Sequence, residues 1–522
     1  GVTLAPDAEK ESYNEQFYLY LALTKASEQV ILTYSVMTSK GESKRPSYLI
    51  NRVKQVFPKL VVEKEEMDTS YEKIMGSDKG KSYLISHLAD GSYAKDVIWW
   101  EIASHYEKKT PGILKDLLRI REKRAGNNSL KKEAAKRLFG DVLYGSVTRF
   151  EQYVQCPFAF FSHYGLLLNE RQQYEISSLD HGNLFHQAME HLSHELEQRN
   201  KNWQDLSEEE AVLLAAECVD AVAERYQGRK YFQSNRVSFM LKRLKNEVVH
   251  SVWAMWHQMQ EGDFVQTYTE KGFRGSDKEW ESMCIPFDED AKICLNGVID
   301  RVDLCSLPGE ELIKIIDYKS SDSQDLSLAK VYYGLQMQLL TYLEAAKEMV
   351  EKEHKGKEAV PAAMLYYAIK EKNLDWKPES EEEYEKRVLD SMKCKGYVNE
   401  EPEIIGHLDK SIVNGGELIP GQKSVVVPVA VDKKGLLKKN SETLSTKDFE
   451  TLIAHTKEKM KECGKAILDG KIEAIPYVYE DNDGCTYCPY GSVCGHESKK
   501  DGVREMKKMS DDEVWEALYG DD

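Results

Sequence analysis

The stretch KICLNGVIDRVDLCSLPGEELIKIIDYKSS, residues 292–321, decides the fold predicted for this chain. Two apolar runs flank Pro308 and Gly309, a dipeptide that is typical of a tight turn. The stretch therefore predicts a β-hairpin. Because successive side chains of a strand point to opposite faces, the residue numbers also predict which side chains share a face.

Two carboxylates and a lysine lie on apolar faces of this hairpin. One face of the first strand holds Val298, Asp300, Val302 and Leu304, and one face of the second holds Ile313, Ile315, Asp317 and Lys319. A buried carboxylate is costly unless it is paired or binds a cation. Two of them on neighbouring strands suit Mg²⁺, and a nearby lysine can offset negative charge that develops during a reaction. The alternative is a surface hairpin with ordinary ion pairs. Asp303 has the opposite parity, so we expect it to make a structural pairing.

A second pattern, CTYCPYGSVCGHE at residues 485–497, places Cys485, Cys488 and Cys494 close together. Metal sites built from such motifs normally have four protein ligands. Cys156 is the candidate for the fourth, because it precedes a proline, as Cys488 does. The remaining cysteines lie in helix or strand patterns and are interpreted as reduced, buried packing residues: Cys218, Cys284, Cys294, Cys305, Cys394 and Cys463. Four thiolates alone do not distinguish zinc from an iron–sulfur cluster.

Length and charge limit the possible functions. A chain of 522 residues suggests two or three domains. Its net charge of −18 excludes a general polyanion binder, so nucleic-acid contacts must use local basic patches. The sequence shows no apolar run of about 20 residues and no signal peptide, so we expect a cytoplasmic protein without a membrane span. Because it begins with Gly1 in what reads as domain sequence, we interpret it as a fragment of a longer protein.

Two basic runs are candidate nucleic-acid contacts. Residues 115–137 hold nine Lys/Arg and three acids, and residues 229–245 hold six Lys/Arg, no acids and three aromatics. Either run could instead be a solvated helix face. The interleaved aromatics favour contact with single strands for the second run, because bases stack on aromatic rings.

Hydrophobic periodicity predicts a mixed α/β fold. Helices are predicted at residues 15–29, 181–199, 207–226, 237–261, 334–352 and 447–469. Strands are predicted at residues 30–35, 362–369 and 424–431, with a strand-rich block at 263–319.

Residues 1–60 resemble the last motif of superfamily 1 helicases, in which a tyrosine-containing helix carries Thr-Arg-Ala. The step here is Thr24-Lys25-Ala26. In that family the arginine reaches the γ-phosphate of the nucleotide, and lysine cannot make the same forked, planar contact. No GxxxxGK[ST] motif occurs in the 522 residues. The resemblance implies the end of a helicase-like domain that is degraded as a motor.

The hairpin resembles the motif of the RecB-type branch of PD-(D/E)xK nucleases, Gly-x-x-Asp-Arg-x-Asp followed by Asp-Tyr-Lys. These motifs read here as residues 297–303 and 317–319. The branch also has a histidine on an upstream helix and a Gln-x-x-x-Tyr step, matched by His186 and by Gln338 and Tyr342. The implied fold is a mixed central sheet flanked by helices.

The resemblance implies a role for each matched residue. Asp300, Asp317 and Lys319 would be catalytic. Mg²⁺ would be held by His186, Asp300, Asp317 and the carbonyl of Tyr318. Gln338 and Tyr342 would line the DNA path. The alternatives are a packing role for His186, which shares its helix with other histidines, and surface and core roles for the other two.

The order of the motifs resembles the B subunit of bacterial AddAB-type helicase–nucleases, over essentially the whole chain. That resemblance implies a structural [4Fe–4S] cluster held by Cys156, Cys485, Cys488 and Cys494. It also implies a heterodimer with a motor-bearing A subunit. The complex would process double-strand breaks in DNA, with this chain acting as a Mg²⁺-dependent 5′–3′ exonuclease that cuts the 5′-terminated strand.

The predicted domains follow from these motifs. Residues 1–60 are the end of a helicase-like domain, 61–145 a remaining helicase-like segment and connector, 146–497 the nuclease domain with its staple, and 498–522 a charged tail. One alternative is a non-catalytic DNA-binding scaffold, against which Asp300, Asp317 and Lys319 argue. The other is a stand-alone CRISPR-associated iron–sulfur nuclease, against which the helicase-like start argues.

Overall fold

The structure is a computed structural model. It describes residues 8–37, 43–63, 77–90, 92–124, 129–169, 178–227, 235–274, 280–319, 325–369, 374, 377, 380–496 and 502–520. The chain forms two compact units, residues 1–124 and 125–522. The predicted start of the nuclease domain at Ser146 lies within the second unit.

The described part of the first unit is helical. Its helices are α1 (Ala8–Thr24), α2 (Tyr48–Val56), α3 (Ser77–Asp90), α4 (Val97–Lys109) and α5 (Ile113–Arg124), with a 3₁₀ turn at Ser92–Lys95. Helices α3, α4 and α5 surround a small core that includes Leu84, Trp99 and Ala103. The indole N–H of Trp99 donates to the Leu84 carbonyl at 2.9 Å, which satisfies a buried donor. Asp96 begins α4 by accepting the backbone N–H of Ile98 at 3.0 Å.

Two predictions fall in this unit. The helix predicted at residues 15–29 is confirmed up to Thr24, where α1 ends. The strand predicted at residues 30–35 is wrong: these residues are exposed, and no strand in the described part of the chain pairs with them. A strand without a hydrogen-bonding neighbour is not stable, whatever the β-propensity of its residues.

The second unit contains the remaining elements. Its helices are α6 (Lys132–Phe139), α7 (Val147–Gln155), α8 (Pro157–Phe160), α9 (Ser178–Gln198), α10 (Glu208–Gln227), α11 (Asn235–Gln260), α12 (Leu328–Tyr332), α13 (Gln338–Glu353), α14 (Glu381–Ser391), α15 (Pro402–Leu408), α16 (Thr446–Leu468), α17 (Gly491–Cys494) and α18 (Asp511–Tyr519). Its strands are β1 (Val142–Gly145), β2 (Val265–Gly272), β3 (Met283–Pro286), β4 (Lys292–Leu295), β5 (Val298–Ser306), β6 (Glu310–Lys319), β7 (Glu358–Ala368), β8 (Lys395–Asn399), β9 (Val413–Asn414), β10 (Glu417–Leu418), β11 (Thr443–Leu444), β12 (Tyr477–Tyr479), β13 (Asn482–Asp483) and β14 (Arg504–Glu505). Short helical turns lie at Phe161–Gly165, Trp203–Asp205 and Lys410–Ile412. Among the described helices, none combines the length and the apolar character that crossing a membrane requires.

A mixed sheet with strand order β11-β8-β7-β6-β5-β2 lies at the centre of this unit, as the predicted α/β fold requires. Strands β6 and β7 are parallel, and β5 is antiparallel to both β6 and β2. Helices α13 and α16 contribute to the core on one face, and α9, α10 and α11 to the core on the other. The alternation of β6 separates the two cores, because Ile313 and Ile315 belong to the first and Leu312 and Ile316 to the second.

A smaller sheet, β1-β4-β3, corrects the prediction for two cysteines. Cys284 of β3 lies directly opposite Cys294 of β4, and the two form a disulfide with a Cα–Cα distance of 4.2 Å. The interpretation of this pair as reduced packing residues is therefore wrong. The sequence could not reveal the pairing, because it depends on the register of two short antiparallel strands.

Residues 424–431, predicted as a strand, form a buried turn segment instead. The hydroxyl of Ser424 accepts the backbone N–H groups of Val426 and Val427, at 3.0 and 2.9 Å. Pro428 has no N–H to give to a ladder. The side chains of Val426, Val427 and Val429 are buried in the second core, so the apolar run reflects burial and not strand formation.

The residues predicted as a charged tail, 498–522, contain folded elements. Strand β14 pairs with β12 in parallel, and Val514 of α18 is fully buried in the first core. The apolar residues of this segment therefore pack against the rest of the second unit, although charged residues dominate its composition.

Candidate active site

Two carboxylates meet where β5 begins and β6 ends. The strands are antiparallel, with Arg301 opposite Ile316, so Asp300 and Asp317 fall at the same edge. The carboxylate of Asp300 accepts the backbone N–H of Tyr318 at 2.7 Å. The Asp300 and Asp317 residues are only 7% and 3% exposed. The hairpin thus brings together two acids that lie 17 positions apart in the sequence (317 − 300).

His186 and Glu270 complete this group from other elements. His186 lies on α9, and its Nδ1 is 2.9 Å from Glu270 Oε1 and 3.5 Å from Asp300 Oδ1. Glu270 lies on β2 between the pairs Thr269–Arg301 and Lys271–Ile299, and therefore opposite Asp300. Its φ of 45° is uncommon for a residue other than glycine, and strained backbone conformations cluster at functional sites. The backbone at Glu270 therefore carries strain where the carboxylate faces the histidine.

Lys319 lies beside the second carboxylate. Its ammonium Nζ is 2.5 Å from Asp317 Oδ2 and donates to Gln338 Oε1 at 3.1 Å. The Gln338 amide nitrogen donates to Asp317 Oδ1 and to the Tyr342 hydroxyl, both at 3.1 Å. Gln338 therefore bridges the lysine and the aspartate.

The pKa values of the site show an excess of buried negative charge. Burial raises the pKa of Asp300 well above its usual range, and the charge of Asp317 raises it further. Burial also raises the pKa of Asp317, although Lys319 opposes this effect. Burial lowers the pKa of His186, but the hydrogen bond with Glu270 and the nearby carboxylate charges outweigh it and raise that pKa to about 9. The carboxylates are close enough to disfavour one another's ionised form.

The donor set fits a divalent cation. A ring nitrogen of His186 and carboxylate oxygens of Glu270 and Asp300 lie within 4.8 Å of one another. Asp317 adds a further buried carboxylate beside Asp300. A cation at this position would relieve the repulsion between the acids, and clustered carboxylate oxygens suit a hard ion such as Mg²⁺.

Asp303 lies on the opposite face of β5, as its parity predicts. Its carboxylate is 2.7 Å from Arg301 Nε and 2.8 Å from Lys314 Nζ, and all three side chains are buried. Burial alone would raise the pKa of Asp303, but the two cations hold it below its usual value. Asp303 belongs to a structural ion cluster, on the face of β5 opposite to Asp300.

Gln338 and Tyr342, predicted along the DNA path, lie against the acidic group. Tyr342 is 8% exposed, and its ring packs against Phe273 with a centroid separation of 5.9 Å. The motif glycine, Gly297, allows this packing, because an added Cβ would lie 2.8 Å from Phe273 and 3.2 Å from Tyr342. The role of both residues along a DNA path stays a prediction, as does the metal contact of the Tyr318 carbonyl.

Sequence reasoning missed two acids of this region. Glu270 lies outside any motif considered and is brought to the site by strand pairing. Glu151 lies on α7, where its carboxylate accepts the backbone N–H groups of Met337 and Gln338 at 2.6 and 3.2 Å. Burial raises the pKa of Glu151 to about 7 although both N–H donors lower it. No local signal distinguishes Glu151 from an ordinary polar residue of an amphipathic helix, because its partner Met337 lies 186 positions away in the sequence.

The four cysteines predicted as a staple lie close together. Cys156 is buried in a small cluster with Cys488 at its edge. Burial raises the pKa of the Cys485 thiol to about 11, and the neighbouring thiols of Cys156, Cys488 and Cys494 add to this shift. Residues at the start and end of the second unit therefore converge on one group of thiols.

The two basic runs, residues 115–137 and 229–245, lie partly within the described residues. In the run at 229–245, Arg243 and Lys245 pair with Glu247 and Asp220, and the described aromatic, Phe239, is 71% exposed. Residues 228–234, with the other two aromatics, lie outside the described residues, as do residues 125–128 of the first run. A nucleic-acid role for either run stays a prediction.

A mixed sheet with paired acids and a lysine where two adjacent strands meet defines a class of metal-dependent nuclease folds. Residues 145–495 match the family model described as the PD-(D/E)XK nuclease superfamily. The chain belongs to this superfamily.

Curated relatives match the chain from end to end. It is 33% identical over 530 aligned positions to the B subunit of the ATP-dependent helicase/deoxyribonuclease of Lachnoclostridium phytofermentans, in an alignment that covers 100% of this chain and 44% of the relative. The protein of the same name from Clostridium perfringens is 32% identical over 540 positions, and that from Alkaliphilus oremlandii 28% identical over 528. Each of these two alignments covers 99% of this chain and 45% of the relative. The chain thus spans less than half the length of these relatives.

Proposed function

We propose that this chain is the C-terminal, nuclease-bearing part of the B subunit of an AddAB-type helicase–nuclease. It hydrolyses phosphodiester bonds of DNA with Mg²⁺, cutting the 5′-terminated strand beside a motor-bearing A subunit during double-strand-break processing. The observation that carries the proposal is the meeting of His186, Glu270, Asp300, Asp317 and Lys319 at one edge of the sheet. The names of the relatives support the subunit assignment and the helicase-like origin of residues 1–60.

The roles of the residues follow from their charges. His186, Glu270, Asp300 and Asp317 would hold the cation, which when bound would supply the charge to polarise the phosphate and acidify a water molecule. Lys319 lies beside Asp317, where its side-chain amine can orient water and offset charge that develops on the phosphate. Gln338 fixes the position of the lysine ammonium through its amide oxygen.

Two lysines of β6 provide a matched test. Lys319 pairs with Asp317 at 2.5 Å in the site, and Lys314 pairs with Asp303 at 2.8 Å in the ion cluster. We expect Lys319→Met in the full-length complex to lower cleavage of the 5′-labelled strand by roughly 10²–10³-fold, the usual cost of losing one charge-stabilising group. Lys314→Met should keep cleavage per folded molecule and lower the melting temperature. Full cleavage by folded Lys319→Met protein would refute the assigned site.

We further propose that Cys156, Cys485, Cys488 and Cys494 hold a structural [4Fe–4S] cluster. The convergence of the four thiols supports this assignment, and joining such distant segments would stabilise the fold by ~5 kcal/mol in the chain-entropy model. Anaerobically purified protein should contain about four irons per chain. Cys485→Ser should lose the iron, and Cys463→Ser, a buried thiol of α16, should keep it. Stoichiometric zinc without iron would contradict the cluster.

A further inference from the structure

The carboxylate of Glu151 holds the beginning of a helix that reaches the active site. It accepts the N–H groups of Met337 and Gln338 at 2.6 and 3.2 Å, where α13 begins. The first N–H groups of a helix have no partner within the helix, so an external acceptor decides how that end is placed. A carboxylate is a strong acceptor there, because it also complements the helix dipole.

The first residue of α13 contacts the candidate active site. Gln338 is the first residue of α13, and its amide bridges Lys319 Nζ and Asp317 Oδ1 with two bonds of 3.1 Å. A movement of the helix end would therefore displace the lysine ammonium relative to the aspartate. Displacements of about 1 Å in a reactive group can cost roughly 10²-fold in rate.

The other end of α7 leads directly into the group of four cysteines. Helix α7 ends at Gln155, and Cys156 follows it. The guanidinium of Arg504 donates to the carbonyls of Val154 and Gln155, the latter at 3.3 Å. Gly484, next to Cys485, packs so closely that an added Cβ would lie 2.9 Å from the Gln155 carbonyl. The cysteine segment thus contacts the last turn of α7.

We propose that Glu151 is a positioning residue that couples the four-cysteine group to the nuclease site. Gln155, the last residue of α7, follows Glu151 by four positions, a helical rise of ~6 Å, and Cys156 comes directly after it, so a short rigid element joins the two. The four-cysteine group holds the end of α7 in place, and Glu151 holds the beginning of α13. Gln338, at the beginning of α13, then positions the ammonium of Lys319. This inference rests on the proposed nuclease function, because it concerns the placement of the reactive lysine.

The test compares Glu151→Ala with Glu151→Gln in the full-length complex. Glutamine keeps an oxygen that accepts the two N–H groups, and alanine keeps none. We expect Glu151→Ala to lower kcat for cleavage of the 5′-labelled strand by roughly 100-fold, with little change in KM for DNA. Glu151→Gln should keep most of the activity. A structural role alone would instead lower the melting temperature in parallel with the active fraction.

Glu107→Ala is the matched control. Glu107 accepts the backbone N–H groups of Gly112 and Leu114 at 2.7 and 3.0 Å, at the beginning of α5 in the first unit. The variant removes the same kind of cap far from the site in sequence, and we expect kcat to stay at the wild-type value. Wild-type kcat in Glu151→Ala, or an equal loss in Glu107→Ala, would overturn the proposal.

The coupling to the thiols is tested by a double-mutant cycle. Cys485→Ser should lower cleavage when Glu151 is present and add little when Glu151 is already alanine, because both changes release the same helix end. Independent, multiplying losses would overturn the coupling. Asp317→Asn is the reference for the site itself: if it cleaves normally, the proposed function fails, whatever the Glu151 variants do.

Discussion

Asp303 and the pair Asp300–Asp317 are buried carboxylates on the same two strands, yet their charges are compensated differently. Asp303 has two cations within 2.8 Å, Arg301 and Lys314. Its pKa is held below the usual value although burial opposes this. Asp317 contacts Lys319, and Asp300 lies near His186, which also contacts Glu270. Burial raises the pKa of both Asp300 and Asp317.

The difference shows that burial alone does not mark a site. Asp303 is the more deeply buried acid, at 0% exposure against 7% for Asp300, but its charge is satisfied by its own neighbours. The acids at the strand ends have too few cations around them and suit a bound ion. The candidate site differs from the structural ion cluster because its buried negative charges outnumber the positive charges around them.

The largest expected effect on stability concerns the structural ion cluster around Asp303. Arg301→Met leaves Asp303 buried beside one cation, and we expect the free energy of unfolding to fall by ~3–5 kcal/mol. Arg199→Met, which removes an exposed ion pair with Glu195, should cost less than about 1 kcal/mol. Denaturant unfolding of the two variants measures both values. A loss in Arg301→Met as small as that in Arg199→Met would remove the distinction between the two regions.

A smaller effect on stability is expected from cation binding at Asp300 and Asp317. Mg²⁺ at 100 times its Kd should stabilise the wild-type protein by about 2.7 kcal/mol, because it binds only the folded site. Asp300→Asn should lose this increment, and Lys314→Met, in the ion cluster, should keep it. Thermal unfolding with and without Mg²⁺ reports the increment. An increment that survives in Asp300→Asn would place the bound ion elsewhere.

The smallest effect is expected where a charge is neither buried nor crowded. Lys25, at the position where the resemblance to superfamily 1 helicases predicts an arginine, is exposed just after α1. We expect Lys25→Ala to leave ATP-driven unwinding by the complex nearly unchanged, because lysine lacks the forked contact with the γ-phosphate. Strand-displacement assays measure this rate. A loss as large as that of a motor knockout would show that residues 1–60 take part in nucleotide hydrolysis.

Local periodicity predicted the parts of the fold that depend on neighbouring residues. The β5–β6 hairpin, the parity of Asp303 and the long helices α9, α10, α11 and α16 are present as the sequence indicated. The apolar run at 424–431 was misleading, because fully buried turns and fully buried strands have the same composition. The paired cysteines Cys284 and Cys294 depend on a strand register that the sequence does not display.

The sequence predicted only those residues of the candidate site that lie together in one motif. Asp300, Asp317 and Lys319 lie on one hairpin, so their grouping follows from parity. Glu270 arrives from β2 through an antiparallel pairing, and Glu151 from a helix 186 positions before Met337. Such contacts are set by tertiary packing, which a single sequence does not specify.

The central claim is tested most directly by Asp317→Asn and Asp303→Asn, two identical changes on neighbouring strands. Each protein is assayed for cleavage of end-labelled duplex at saturating Mg²⁺ and for thermal unfolding without divalent ions. We predict that Asp317→Asn loses cleavage on the order of 10³-fold, since several kcal/mol of charge stabilisation depend on the metal site, and that it melts no earlier than the wild type. Asp303→Asn should cleave normally and melt earlier. The reverse pattern, or complete loss of cleavage in both folded proteins, would contradict the account.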